Sequence, residues 1–136
     1  MAITHSRRPY FILGVVAVLL VLVAADYRSS VDFRARRYFS IPWQELVSAS
    51  SIRAAVLRLL PVGTPLETVP GRLALLGIGG DGLSGYYPLP SRAESVIRLE
   101  YDPRHFALVQ KHYGIFLSFE DEHLSTVRVD EWFTGL

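Results

Sequence analysis

The sequence predicts an α+β protein: an N-terminal transmembrane helix followed by a small ααβββ domain with a three-stranded antiparallel sheet. Three observations carry this. Phe11–Ala25 runs FILGVVAVLLVLVAA without a charge. Between residues 42 and 76 apolar residues recur at helical spacing, and between 95 and 132 they alternate at strand spacing. The chain divides into an N-terminal flank (1–9), a membrane helix (10–27), a basic juxtamembrane stem (28–40) and an α+β domain (41–136).

The apolar run holds eleven Phe, Ile, Leu or Val residues, among them Phe11, Leu13, Val16, Leu20 and Val23. Together they favour insertion by about 3 to 6 kcal/mol. Tyr10–Ala25 is sixteen residues, or about 24 Å as a helix, against a hydrocarbon core of about 30 Å. The flanks make up the difference: Tyr10 and Tyr27 suit the two interfaces, and Arg7, Arg8 and Arg28 can snorkel. A cleaved export signal has the same parts, namely Arg7-Arg8, an apolar core, and Val23-Ala24-Ala25 before Asp26. Ser6-Arg7-Arg8-Pro9-Tyr10-Phe11 is also a loose twin-arginine pattern.

The stem favours a retained anchor. Tyr27, Val31, Ala35 and Tyr38 share one helical face, and Arg28–Asp32 and Asp32–Arg36 are opposite-charge pairs at i,i+4. With Arg34, Arg36 and Arg37 on the polar side, the expectation is a helix lying on anionic headgroups; a basic linker is the alternative. The membrane-interface residues are therefore Tyr10, Tyr27, Arg28, Arg34, Arg36 and Arg37. Arginine counts on the two sides of the span favour a cytoplasmic domain, whereas the signal-like layout favours export.

Residues 1–37 carry a net charge of +4 and residues 38–136 of −3. An acidic domain without a basic face argues against nucleic-acid binding. The chain has no cysteine, which excludes disulfides, thiolate metal sites and a lipidated Cys.

The first domain helix is expected over Pro42–Leu60, with Ser40 as N-cap and Pro61 as stop; Ser48–Ser51 is a poor helix interior, where a break and a restart from Ser50 are allowed. Thr64-Pro65-Leu66-Glu67 matches a capping box for a second helix, whose face is Leu66, Val69, Leu73 and Leu76 and whose C-cap is Gly77. Pro70 is expected to kink it. Gly77–Ser91, with five Gly and two Pro, reads as a loop. Ser95–Tyr101 points Ile97, Leu99 and Tyr101 inward, Tyr113–Glu120 points Tyr113, Ile115, Leu117 and Phe119 inward, and Leu124–Trp132 points Val127 and Val129 inward. Glu120–His123 joins the last two strands as a hairpin. Asp102–His112 is a longer link with room for a short helix.

Pro61-Val62-Gly63-Thr64-Pro65-Leu66-Glu67-Thr68-Val69, then Leu76-Gly77, and the closing Leu117–Val127 segment resemble the SmpA/OmlA, or BamE-like, family over about residues 57–130. The resemblance implies a non-enzymatic ααβββ domain of the bacterial envelope that acts by protein contact. The chain departs from that pattern in lacking the lipidated Cys, in carrying a membrane helix, and in Pro70.

The sequence offers little chemistry. Gly77-Ile78-Gly79-Gly80-Asp81-Gly82 follows a helix and precedes a strand, the reverse of a dinucleotide loop. His5, His105, His112 and His123 lack metal-ligand spacing. Glu120-Asp121-Glu122 reads as a solvated turn, and Ser84 lies outside any nucleophile-elbow pattern. No catalytic, metal or cofactor residue is assigned. Trp43, Tyr86, Tyr87, Trp132 and Phe133, at element ends or in loops, are candidate partner contacts. The expected protein is a single-pass interaction module of the bacterial inner membrane with a periplasmic domain, bound to lipid through its helix and stem and to an unidentified protein partner. The alternative is an accessory subunit of a large membrane complex, such as a respiratory or photosynthetic assembly.

Overall fold

The computed structural model describes residues 8–79, 82–88, 93–100 and 109–135. Helix α1 (Arg8–Ser29) has 22 residues, about 33 Å of helix. Its stretch Tyr10–Arg28 has a mean hydropathy of 2.4, and none of it is buried against the rest of the protein. The helix exceeds the sixteen-residue estimate because it continues through Asp26, Tyr27 and Arg28.

One residue separates α1 from α2 (Val31–Phe39). Ser30 adopts an extended backbone, and its Oγ donates to the Tyr27 carbonyl (2.6 Å) while accepting from the Phe33 N–H (3.2 Å). A single serine thus ends one helix and caps the next. The stem face foreseen from sequence exists, but its destination differs. Val31, Ala35 and Tyr38 are buried in the domain core with Phe39, not turned to headgroups. The domain fold therefore starts at Val31, ten residues before the boundary drawn at 41.

Ser40 takes a left-handed backbone (φ 51°) and ends α2 instead of capping a following helix. Residues 41–48 form no helix, and α3 spans Ala49–Leu59. Its cap is Ser48: the Ser48 Oγ accepts from the Ser51 N–H (3.2 Å), and the Ser51 Oγ accepts from the Ser48 N–H (2.9 Å). Serines bond their local backbone readily, so this run starts the helix rather than interrupting it.

Gly63–Leu66 pairs with the turn and start of the last strand. Gly63 N–H bonds Leu124 O (2.7 Å), Leu124 N–H bonds Thr64 O (2.8 Å), and Leu66 N–H bonds Glu122 O (2.8 Å). Thr64 is buried and donates its hydroxyl to Pro61 O (2.7 Å), so the expected capping box is not made there. A 3-10 turn (Leu66–Thr68) leads into α4 (Val69–Leu75). Pro70 lies in the first turn of α4, where no N–H partner is needed, rather than inside a longer helix that it would kink. Gly77 (φ 82°) closes α4: its N–H reaches Ala74 O and that of Ile78 reaches Leu73 O, a Schellman arrangement.

The sheet has four antiparallel strands in sequential order, not three: β1 (Ser84–Pro88), β2 (Glu94–Leu99), β3 (Val109–Glu120) and β4 (His123–Gly135). The added strand lies in the expected loop. It is an edge strand of five residues, where Gly85 and the terminal Pro88 are tolerated. The expected faces of β2 and β3 are observed, with Ile97, Leu99, Tyr113, Ile115, Leu117 and Phe119 all buried; Tyr101 falls outside the described residues. In β4, Val127 is buried and Val129 half-buried. Of the link Asp102–His112, residues 109–112 are strand and the remainder falls outside the described residues. The β3–β4 turn places Asp121 (φ 49°) and Glu122 (φ 61°) both in the left-handed region, the requirement of a two-residue type I′ hairpin.

Helix α2 crosses one end of the sheet. Asp32 reaches β3 through Lys111 Nζ (3.2 Å) and the Tyr113 hydroxyl (3.0 Å). Arg34 donates to the Glu100 carbonyl beyond β2, and the Tyr38 hydroxyl accepts from Ser84 on β1 (3.1 Å). Helix α3 packs on β4, where Arg53 Nε donates to the Val127 carbonyl (2.7 Å). One sheet face is thus covered. The other carries Tyr87, Val96, Phe116 and Arg128 in one cross-strand row.

Candidate functional site

The end of α1 and the loop after α2 meet in an aromatic and arginine cluster. Tyr27 in the last turn of α1 lies edge-on to Phe33 of α2, with centroids 5.8 Å apart. Trp43 closes the group at 6.2 Å from Tyr27 and 6.5 Å from Phe33. Arg36 places it there. Its guanidinium donates to the carbonyls of Ile41, Pro42 and Glu45 and lies 4.8 Å from the Trp43 ring centroid. Planar, multiply donating Arg suits this double task of gathering carbonyls and stacking on an indole. Phe33, Arg36, Arg37 and Trp43 line a cavity of about 370 Å³. Arg37, and Arg28 in the last turn of α1, are exposed, and Trp43 is 67% exposed.

Sequence grouped Tyr27 and Arg36 with the membrane interface and Trp43 with partner contacts; the structure brings these three together. It separates Arg34, which is buried under α2 against the Glu100 carbonyl and holds the fold rather than facing headgroups. The span residues Phe11, Leu13, Val16, Leu20 and Val23, and Tyr10 at its start, all face outward.

The remaining aromatics fall into two places. Tyr86 and Tyr87 are on β1: the Tyr86 hydroxyl donates to Ser95 Oγ (3.1 Å), and Arg98 lies over the Tyr87 ring (5.8 Å). Trp132 and Phe133 are near the end of β4. Trp132 stacks on His112 directly across the ladder, with centroids 5.6 Å apart and planes 13° from parallel.

Other chemistry has structural roles. His123 Nδ1 lies 2.7 Å from the Asp121 carbonyl oxygen. Ser84 is buried beside Tyr38 at the start of β1. Among the described residues, no group of three His, Cys, Asp or Glu could hold a metal ion. Burial pushes the Tyr113 phenol far above its ordinary value, and the carboxylates of Asp32 and then Glu131 push it further. A phenol so held stays protonated and works as a hydrogen-bond donor to Asp32. An apolar cleft of about 310 Å³ lies between α3 and α4, bordered by Leu59, Leu73, Leu75 and Leu76. Missed from sequence was the join between Asp32 and Lys111, residues 79 positions apart whose partnership no local pattern signals.

A scan against protein-family models found no match, and searches of curated proteins and of solved structures found none either.

Proposed function

We propose that the chain is a single-pass, membrane-anchored, non-enzymatic protein-interaction module of the bacterial inner membrane, with its α+β domain on the periplasmic side. The observation that carries this reading is the unburied apolar surface of Tyr10–Arg28, continuous with the Tyr27–Phe33–Trp43 cluster. Interfacial aromatics with flanking arginines are what a span needs where it leaves lipid. The resemblance of residues 57–130 to the BamE-like pattern, and its signal-like N-terminus, support the exported orientation.

Carbonate extraction followed by detergent purification through a C-terminal tag, with mass spectrometry of co-purifying chains, tests the reading. The protein is expected to stay with membranes and to retain a partner. A stoichiometric assembly of many subunits would favour the accessory-subunit alternative, which the uncovered surface of α1 also suits. A mature chain beginning at Asp26 in the aqueous fraction would refute anchoring. A reporter after Leu136 that is active in the cytoplasm would refute the orientation.

A further inference from the structure

We propose that the open end of the β3–β4 ribbon is a second membrane-contact point, so that the domain sits on the phospholipid interface through Trp43 with Tyr27 and through Trp132 with Phe133. The inference rests on the reading of α1 as a membrane anchor.

The geometry begins at Asp32, three residues past the end of α1. Its carboxylate holds Lys111 Nζ at 3.2 Å. Lys111 pairs across the ladder with Phe133, and Val109 with Gly135. Two residues of strand rise carry the ribbon about 7 Å past Lys111. That overhang exposes apolar side chains, with Val109 and Phe133 each 60% accessible. They share the ladder face that α2 covers further along, at Tyr113. Trp132 points to the opposite face and is held flat. It stacks on His112, and a Cβ on Gly114 would come within 3.0 Å of its ring. A ribbon end with an amphipathic indole on one face and exposed Phe and Val on the other suits insertion end-on into the headgroup layer.

Charge agrees with that seating. Among the described residues, the carboxylates near the overhang, Asp32 and Glu131, are both engaged by Lys111 (3.2 and 3.4 Å). Arg28 and Arg37 stand exposed beside the end of α1. The acidic turn Glu120-Asp121-Glu122 is at the other end of the ribbon, nine residues from Lys111, or about 30 Å of strand. That acidic turn is thereby held away from anionic lipid.

Trp43 and Trp132 are the chain's two tryptophans, so W43F and W132F each leave one reporter. The full chain would be reconstituted in vesicles of phosphatidylcholine and phosphatidylglycerol. Quenching is then read with acyl-brominated lipid and with aqueous iodide. The expected result is that Trp132, seen in W43F, is quenched by bromolipid and shielded several-fold from iodide. Adding F133D to W43F should restore iodide access without releasing the protein from the vesicles. Trp132 open to iodide overturns the inference, and so does protection from both quenchers, which would mean that protein covers this face. In either case the vesicle-bound fraction reports separately on the anchor. Protein that fails to float with vesicles refutes the anchored reading itself.

Discussion

Lys111 on β3 places its ammonium 3.2 Å from the Asp32 carboxylate at the start of α2 and 3.4 Å from that of Glu131 on β4. Helix α2 and both strands of the β3–β4 hairpin meet in this one cation, which also lies 4.7 Å from the centre of the Tyr113 ring. The pair is partly shielded, with Lys111 and Asp32 side chains 23% and 32% exposed. Replacing Lys111 with Met leaves two carboxylates facing one another. The expected loss is about 1 kcal/mol, read as a melting temperature lower by about 5 °C in detergent.

Tyr113 gives stability a dependence on alkaline pH. In the unfolded chain its phenol ionises near its ordinary value of 10.0, while in the fold it keeps its proton well beyond that. The contribution is complete below pH 10 and is lost as pH rises, because only the unfolded state releases the proton. Melting curves between pH 9 and 11.5 should fall less steeply for Tyr113→Phe than for the parent.

Arg34 and Arg37 should separate cleanly. Arg34 is buried on the Glu100 carbonyl, and Arg34→Ala is expected to destabilise by about 2 kcal/mol. Arg37 is exposed, so Arg37→Ala should change stability by less than about 0.5 kcal/mol. Denaturant titration of the two variants side by side decides this.

Ser48 holds the entry to α3 through its reciprocal bonds with Ser51. Ser48→Ala removes the acceptor for the Ser51 N–H and should cost about 1 kcal/mol. Ser50→Ala, which removes only the exposed 2.9 Å contact between the Ser50 and Ser48 hydroxyls, is the comparison and should cost less.

The β3–β4 turn can be improved. Glu122 sits at φ 61°, a conformation that costs an L side chain about 1 kcal/mol. Glu122→Gly keeps the carbonyl that receives the Leu66 N–H and should raise the melting temperature by a few degrees. A fall would show that the Glu122 side chain contributes more than its strain.

Legibility followed local pattern. The strands β2 and β3 were readable because alternation is a local signal, and Ile97, Leu99, Ile115 and Leu117 are buried as their spacing implied. The apolar run of α1 was equally plain. β1 was hidden because its five residues include Gly and Pro and it is paired on one side alone, so burial does not alternate along it. At Ser48–Ser51 the break and restart allowed from sequence fall within a residue of the observed start of α3, but the stretch before it, expected as helix from Pro42, is not helical, because the same hydroxyls weaken a helix interior and strengthen a helix start. For the stem, the apolar face was visible but not what it would meet: a sheet that forms some sixty residues later satisfies it as well as a bilayer would. Of the candidate site, the residue types were foreseen; that Arg36 draws Trp43 onto Tyr27 depends on a loop conformation that no periodicity encodes.

Ser30 alone joins the two first helices, and this leaves the leash without slack. A domain of this size has a radius of gyration of about 13 Å, and on the proposed anchoring of α1 in lipid it would not swing much further than its own width. On that proposal a partner would meet the domain at a near-constant height above the bilayer, and lateral diffusion in two dimensions would govern the encounter.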